Sequence, residues 1–375
     1  LFERSSGESS DVVKKEMYRF TDRKGREFAL RPEGTAPVAR SYIENRMDIG
    51  SSYTKLYYLG PMFRYDRPQA GRYRQFYQYG VEFIGSNNPY YDAEIIAILW
   101  NYLTGLGLKK LHLELNSVGC SVCAKEYDKA LQSYFQPYLN QLCPDCQERF
   151  ERKPRRILDC KVKECKDIAK NAPIQLDYLD EPCKEHFSEV QHYLNLMNIP
   201  FVINPRIVRG LDYYTNTAFE VIYEGIGAQN ALAGGGRYNG LLNQIGGKNI
   251  PAVGFAGGFE RLFLSLNEEK ITLPGPPFPE VFIITIGREA QELIIPYLNI
   301  IRVKGIYAEY EPDRASLKAQ LKAANNYRAH YALIIGETEV KQKSAMLKNL
   351  ESGEQKLYPL QPISDLINAI QNKEL

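Results

Sequence analysis

The sequence predicts an α+β chain in two parts: an antiparallel-sheet domain interrupted by a helical insertion, then a small α/β domain. Three observations lead there. Upstream of residue 273, strand-like runs are separated by turns and glycine clusters, with few helices between them. Between residues 120 and 200 that grammar gives way to cysteines and helical periodicity. Beyond Leu273-Pro-Gly-Pro-Pro-Phe-Pro279, strands alternate with helices. Four prolines in those seven residues cannot continue a helix or an inner strand, so 273–279 reads as a linker. The expected domains are therefore 1–119 with 201–272, the insertion 120–200, and the α/β domain 280–375. A length of 375 residues suits such a division.

Near the start, Leu30-Arg-Pro-Glu-Gly-Thr-Ala36 sets the carboxylate of Glu33 and the hydroxyl of Thr35 in a turn whose backbone Pro32 and Gly34 fix. Residues 56–84 read as a hairpin with a long polar loop over 66–73. On its second strand, Tyr77, Tyr79, Val81 and Phe83 share one face, and Arg74, Phe76, Gln78, Gly80 and Glu82 share the other. Gln78 and Glu82 look out together about 13 Å apart, at roughly 3.4 Å per residue, with Gly80 leaving room between them. A solvated face would need no ligand there. Arg64, Arg67, Arg72 and Arg74, however, bracket one turn, and so many guanidinium groups are costly to crowd together unless an anion neutralises them. A polyphosphate is the natural candidate.

A helix follows over 92–104, with Asp92 as its N-cap and Gly105 and Gly107 as its stop. The insertion carries helical periodicity over 125–135 and 184–197. Next come Val208-Arg-Gly-Leu-Asp-Tyr-Tyr214 and Ala233-Gly-Gly-Gly-Arg-Tyr-Asn-Gly240, on either side of an alternating strand over 217–223. Strand ends are where sites are built, although a glycine bulge and core tyrosines would give the same text. In Pro251-Ala-Val-Gly-Phe-Ala-Gly-Gly-Phe-Glu-Arg-Leu262 a short apolar strand meets Gly257-Gly258 and then a helix with Arg261 in its first turn. A helix N-terminus with an added guanidinium favours phosphate. It is neither a P-loop nor a dinucleotide fingerprint. The last domain reads as strand 281–287, helix 289–303, strand 305–310, helix 314–325 and strand 331–336, with no catalytic constellation. It reads as a binding module.

Bulk properties exclude more than they assign. Hydrophobic residues at 44% and charged residues at 25%, with no apolar run long enough to span a bilayer, argue against a membrane role. A net charge of +2 does not demand nucleic acid, and the basic run 149–156 reads as a solvated face. The chain begins at Leu1 without Met or an apolar signal core, so a preceding segment is expected. Seven cysteines without a secretory signal favour a reducing compartment, the cytoplasm. Cys120-Ser-Val-Cys123 and Cys143-Pro-Asp-Cys146 lie 19 residues apart, the spacing of a four-thiolate zinc site. Cys160 and Cys165 stand as alternative ligands or plain buried thiols, so no metal ligands are assigned.

Taken together, these stretches resemble the class II aminoacyl-tRNA synthetases and, among them, the histidyl-tRNA synthetase family. Residues 56–84 resemble the second class motif and 253–262 the third. Arg-Pro-Glu-Gly-Thr at 31–35, Arg-Gly-Leu-Asp-Tyr-Tyr at 209–214 and Gly-Gly-Gly-Arg-Tyr at 234–238 resemble stretches peculiar to the histidine enzymes. The first motif, which builds the dimer interface in that class, is not found and is expected to precede residue 1.

The resemblance implies activation of L-histidine with ATP and Mg²⁺ and its transfer to tRNA(His) by a homodimer, releasing AMP and pyrophosphate. It implies Arg64 at the α-phosphate and the amino-acid carboxylate, Arg72 on the triphosphate and Arg261 at the γ-phosphate. Arg209 would stand at the α-phosphate as the leading catalytic residue and also touch histidine. Glu33, Gln78 and Glu82, with Thr35 beside them, would hold the ammonium, and Tyr214 and Tyr238 would read the imidazole. It further implies that the loop with Arg67, Gln69 and Arg74 meets the acceptor end of the RNA, the insertion lies along the acceptor stem, and 280–375 binds the anticodon. The rival is a non-catalytic, synthetase-like regulatory subunit of histidine biosynthesis. Such paralogues generally lack the last domain and erode the charged positions that this chain keeps.

Overall fold

A computed structural model describes residues 1–375 apart from 7–9, 11, 208–212, 227–229, 274, 276 and 375. It divides into two compact units, Leu1–Thr272 and Leu273–Leu375.

In the first unit, β1 (Arg19–Thr21) and β2 (Glu27–Ala29) form a small hairpin of their own. The principal sheet has seven strands: β3 (Thr54–Phe63), β4 (Gln75–Ile84), β5 (Leu111–Ser117), β6 (Val202–Ile203), β7 (Thr215–Tyr223), β8 (Ala231–Arg237) and β9 (Ala252–Gly258). Their order is β3-β4-β9-β8-β7-β5-β6, antiparallel throughout except for the short β5/β6 pair. The expected hairpin is β3 and β4, paired from Thr54↔Ile84 to Phe63↔Gln75.

Alternation along β4 sends one set of side chains into a helical layer. Phe83 stacks on Tyr91 with ring centroids 3.9 Å apart, and Tyr79 packs edge-on against Tyr102 and Phe259. Helix Tyr90–Gly105 buries Ile95, Ile96, Leu99 and Leu103 in the same core as Phe219, Val221 and Tyr223 of β7. Each fully buried side chain of this kind contributes roughly 1.5–3 kcal/mol. The opposite face of the sheet is left for Phe76, Gln78 and their neighbours.

Asp92 departs from its expected role as an N-cap. The helix begins two residues earlier, Pro89 is at the cap position, and the Asp92 carboxylate is fully buried in an ion pair with Arg237 at the end of β8. His186 Nε2 approaches the same carboxylate at 3.4 Å. A buried arginine needs its charge matched and its donors filled, and Arg237 also donates to the Ser86 carbonyl at 2.9 Å. Local sequence signals could not reveal a partner 145 residues away.

The insertion leaves the sheet after β5 and returns at β6. It contains helices Ser121–Phe135, Pro144–Arg152 and Lys163–Ala169 around a core that includes Tyr127, Leu131, Phe135 and Phe150, and a last helix, Glu181–Leu196, whose Phe187, Val190 and Leu194 join the core of the principal sheet instead. The first and last begin earlier than periodicity predicts. Cys120 takes the N-cap position of one, and Asp180 caps the other by accepting from Cys183 N at 3.0 Å. The basic run 149–156 is less solvated than expected: Phe150 and Pro154 are buried, and Arg155 pairs with Asp128 at 2.8 Å.

The second unit has a five-stranded sheet of β10 (Val281–Thr285), β11 (Ala308–Tyr310), β12 (Tyr331–Ile335), β13 (Ser344–Asn349) and β14 (Gln355–Pro359), in the order β11-β10-β12-β13-β14. The first three are parallel and the last two antiparallel, a mixed sheet as predicted. Every residue of β10 is buried because both faces are covered: Ile294 and Leu298 of helix Arg288–Val303 lie in one core, and Ala323 and Ala324 of helix Leu317–Asn326 in the other. The second of these helices starts after Ser316, whose hydroxyl caps Ala319 N at 3.2 Å, rather than at Arg314. Among the described residues of either unit, no helix is long and apolar enough to cross a membrane.

Candidate active site

One cavity on the free face of the principal sheet gathers four of the charged residues singled out from sequence. Its wall includes Glu33, Thr35, Arg64, Arg72, Gln78, Tyr214 and Arg261. The β3/β4 hairpin brings Arg64, Arg72 and Gln78, and the β9-to-helix junction brings Arg261. The turn before helix Thr35–Glu44 supplies Glu33 and Thr35.

Three arginines stand on this wall. Arg64 Nε donates to the Pro32 carbonyl at 2.8 Å, and its guanidinium lies 5.4 Å from the centre of the Phe76 ring. Arg261 donates through Nη1 to the Ala231 carbonyl at 2.9 Å and through Nε to the Gly71 carbonyl at 3.3 Å. Its guanidinium is held below its usual range by burial and then by the charges of Arg72 and Arg64. Cations close enough to depress Arg261 favour an anionic occupant. Arg72 is paired meanwhile with Asp66, and Glu16 lies 4.0 Å away. Arg67 and Arg74 do not line the cavity, and the Arg74 guanidinium sits over Tyr65 at 4.3 Å.

Carboxylates and hydroxyls share the wall with them. Glu33 is buried and accepts from Thr35 N at 2.6 Å and Ala36 N at 3.0 Å, so it also holds the start of the helix. Burial raises its pKa against the opposing pull of those amides and of Arg64. Glu82 lies behind the cavity wall, with one carboxylate oxygen accepting from Thr35 Oγ1 at 2.7 Å and the other from the Tyr238 hydroxyl. Neither Glu82 nor Tyr238 is on the wall itself. Gln78 is different. It stands on the wall, and its Oε1 is buried without a hydrogen-bond partner.

Gly80 does not leave the room expected of it. A Cβ there would come within 2.3 Å of the Tyr58 ring, its cross-strand partner, which fills the space. Room beside Gln78 comes instead from Gly258, its partner on β9, where a Cβ would meet nothing within 4 Å. Gly254 has a third use: a Cβ at that position would come within 1.8 Å of a Glu82 oxygen. The glycine run 234–236 belongs to β8, and the β7/β8 register shifts between Thr215↔Arg237 and Ala218↔Gly236, an irregularity at the end of that run.

Sequence reasoning missed Tyr58, Tyr213, Glu220 and Glu260. Tyr213 lies on the cavity wall and stacks obliquely on Tyr214 with centroids 4.8 Å apart. Burial, followed by the Glu82 and Glu33 charges, lifts the Tyr58 hydroxyl well above its ordinary pKa, so it stays protonated as a donor. A tyrosine opposite a glycine in the hairpin register was the available signal for Tyr58. Arg209 lies outside the described residues, as do Val208, Gly210, Leu211 and Asp212.

Burial pushes Glu82 up to about 8 from an ordinary 4.5, with Glu33 adding to the rise and the Tyr238 and Thr35 hydrogen bonds opposing it. The folded protein therefore keeps a proton that the unfolded chain releases near pH 4.5. That contribution to stability is full below pH 4.5 and is lost as pH rises through about 8. The ligand-free melting temperature of Glu82→Gln, relative to that of the native protein, should rise across this window. A constant difference across it would contradict the raised carboxyl.

Comparison with known proteins gives a consistent result. The family profile described as Histidyl-tRNA synthetase matches residues 2–262, and that described as Anticodon binding domain matches 280–373. A histidine–tRNA ligase of Pelotomaculum thermopropionicum is 50% identical over 96% of this chain and 85% of its own length. One from Halothermothrix orenii is 48% identical over 95% of this chain and 85% of its own length. The crystal structure of apo S. aureus histidyl-tRNA synthetase is 39% identical and superposes with a TM-score of 0.78, covering 94% of this chain and 86% of the other.

Proposed function

The chain belongs to the histidyl-tRNA synthetase family, and from that premise we propose that the cavity beneath the β3/β4 hairpin activates L-histidine with ATP. The reaction is that of an aminoacyl-tRNA ligase: a histidine carboxylate oxygen attacks the α-phosphorus, pyrophosphate leaves, and the adenylate then passes its histidyl group to tRNA(His) with release of AMP. A strong nucleophile is not needed. Positioning and cationic stabilisation of the charge developing on phosphorus carry the first step.

The observation that carries this reading is one cavity wall that joins cations to acceptors. Arg64, Arg72 and Arg261 line it together with Glu33, Thr35 and Gln78, whose Oε1 is unpartnered, and the reading assigns the arginines to the phosphates and the acceptors to histidine. Arg64 would bridge the histidine carboxylate and the α-phosphate. Arg72 would leave Asp66 for the triphosphate, and Arg261 would hold the γ-phosphate. Arg209 would stabilise the transition state at phosphorus and touch the histidine. Glu33 and Gln78 would accept from the ammonium, with Glu82 orienting Thr35 from behind. Tyr214 would read the imidazole, and Tyr238, tied to Glu82, would reach the ring through its neighbours. Glu220 and Glu260 on the same wall offer the hard oxygen donors that suit Mg²⁺, which travels with ATP and offsets phosphate charge.

Residues 1–119 and 201–272 then serve as the catalytic domain, 273–279 as a linker and 280–375 as the anticodon-binding domain. The insertion 120–200 would lie along the acceptor stem, with Arg67, Gln69 and Arg74 at the acceptor end. The working unit is a homodimer in the cytoplasm, where seven free thiols are at home. A structural Zn²⁺ in the insertion agrees with the way those thiols cluster.

Amino-acid-dependent exchange of pyrophosphate into ATP tests the proposal. The protein should exchange with histidine and reject analogues whose ring lacks the two nitrogens, because they leave buried polar groups unpaired. No exchange, or faster exchange with another amino acid, would overturn it.

A further inference from the structure

All seven cysteines fall into two groups, and each group has four members once Asp180 is counted. In the first, the Sγ atoms of Cys143, Cys146, Cys160 and Cys165 lie within 4.8 Å of one another, with Cys143 and Cys160 at 3.8 Å. In the second, the Sγ atoms of Cys120, Cys123 and Cys183 and an oxygen of Asp180 meet the same limit. Cys120 and Cys123 are 3.6 Å apart, and Asp180 Oδ2 is 3.2 Å from Cys120 Sγ. Four ligands placed tetrahedrally about zinc at about 2.3 Å have their sulfurs about 3.8 Å apart. The two pairs joined by sequence spacing, Cys120 with Cys123 and Cys143 with Cys146, therefore belong to different groups.

We propose that the insertion holds two zinc ions, one on Cys143, Cys146, Cys160 and Cys165, and the other on Cys120, Cys123, Cys183 and Asp180. Isolated buried cysteines are ordinary small hydrophobes, but that reading does not explain why every one of them joins a foursome. Nor does it explain a carboxylate among thiols. Asp180 divides its two oxygens: Oδ1 caps the helix at Cys183 N, and Oδ2 turns to Cys120.

The backbone prepares both sites. Cys120 and Cys123, Cys143 and Cys146, and Asp180 and Cys183 each stand at an N-cap and three residues on, the two positions that meet over the first turn of a helix. Amides also point at sulfur directly: Cys143 N donates to Cys165 Sγ at 3.1 Å, and Asp180 N to Cys123 Sγ at 3.2 Å. Such donors orient and stabilise metal-bound sulfur.

The two ions would do different work. The four-thiolate site lies within the insertion's own core. The site with Asp180 joins the first helix of the insertion to its last, closing the root where the insertion meets the sheet. Cys183 Sγ is 3.2 Å from Asn216 Oδ1 at the start of β7, two residues after Tyr214 of the cavity wall. Occupancy there would pin the root of the insertion beside the histidine pocket.

Metal analysis of the full chain, purified without chelator and dialysed, is the test, and it does not depend on ligase activity. Two zinc ions per chain are expected, with Cys165→Ser and Cys183→Ser each retaining one. Should either variant fail to fold, titration of the native protein with a mercurial thiol reagent in the presence of a zinc-binding dye should still release both ions. One zinc in the native protein overturns the site with Asp180, and none overturns both. Iron in place of zinc overturns the choice of metal.

Discussion

Replacing Arg64 with alanine should lower the rate of histidine-dependent pyrophosphate exchange at saturating substrates by roughly 10²- to 10³-fold, the cost of removing one preorganised charge donor from a transition state. Arg64 is expected to suffer most because, as proposed, it would serve two reactants, the carboxylate that attacks and the phosphorus that is attacked. Its Nε bond to the Pro32 carbonyl and its position over Phe76 hold the guanidinium in place before substrate arrives. Arg64→Lys keeps the charge but loses the planar fork, so it should recover only part of the loss. Both variants should unfold at denaturant concentrations close to that of the native protein, since the side chain leaves an open cavity rather than a packed core. An alanine variant with near-native exchange would remove Arg64 from the mechanism.

Replacing Gln78 with methionine should move stability and function in opposite directions. In the ligand-free protein its buried Oε1 has no partner, and an unsatisfied buried acceptor costs about 1–3 kcal/mol. Methionine fills similar space without that acceptor, so the denaturation midpoint should stay level or rise. Histidine should bind more weakly by roughly 10- to 100-fold, because a hydrogen bond to a charged group contributes about 1.5–3 kcal/mol. A variant that loses both stability and affinity would show Gln78 to be a packing residue.

Much of this site was legible in the sequence because its signals are local. Period-two alternation placed Phe76 and Gln78 on one face of β4, and the Gly257-Gly258 junction placed Arg261 at a helix start. What escaped depends on register and on distant partners. Gly80 looked like open space until its pairing with Tyr58 showed the ring that occupies it. Asp92 looked like a helix cap because nothing near it announces Arg237. Alternation likewise put Gln78 and Glu82 on one face without saying that Thr35 and Tyr238 would cover the second and leave only the first on the wall. The cysteines show the same limit. Spacing identified two cysteine pairs, but only the fold shows that each pair clusters with different partners.

The central claim is that one cavity has a histidine end and a phosphate end. Calorimetric binding of histidine alone, without ATP, to Gln78→Met and Arg261→Ala tests it most directly. Gln78→Met should bind histidine 10- to 100-fold more weakly, whereas Arg261→Ala should bind it within about twofold of the native protein, because its charge acts on a phosphate that is absent from the experiment. Native affinity in Gln78→Met together with collapse in Arg261→Ala would contradict the account.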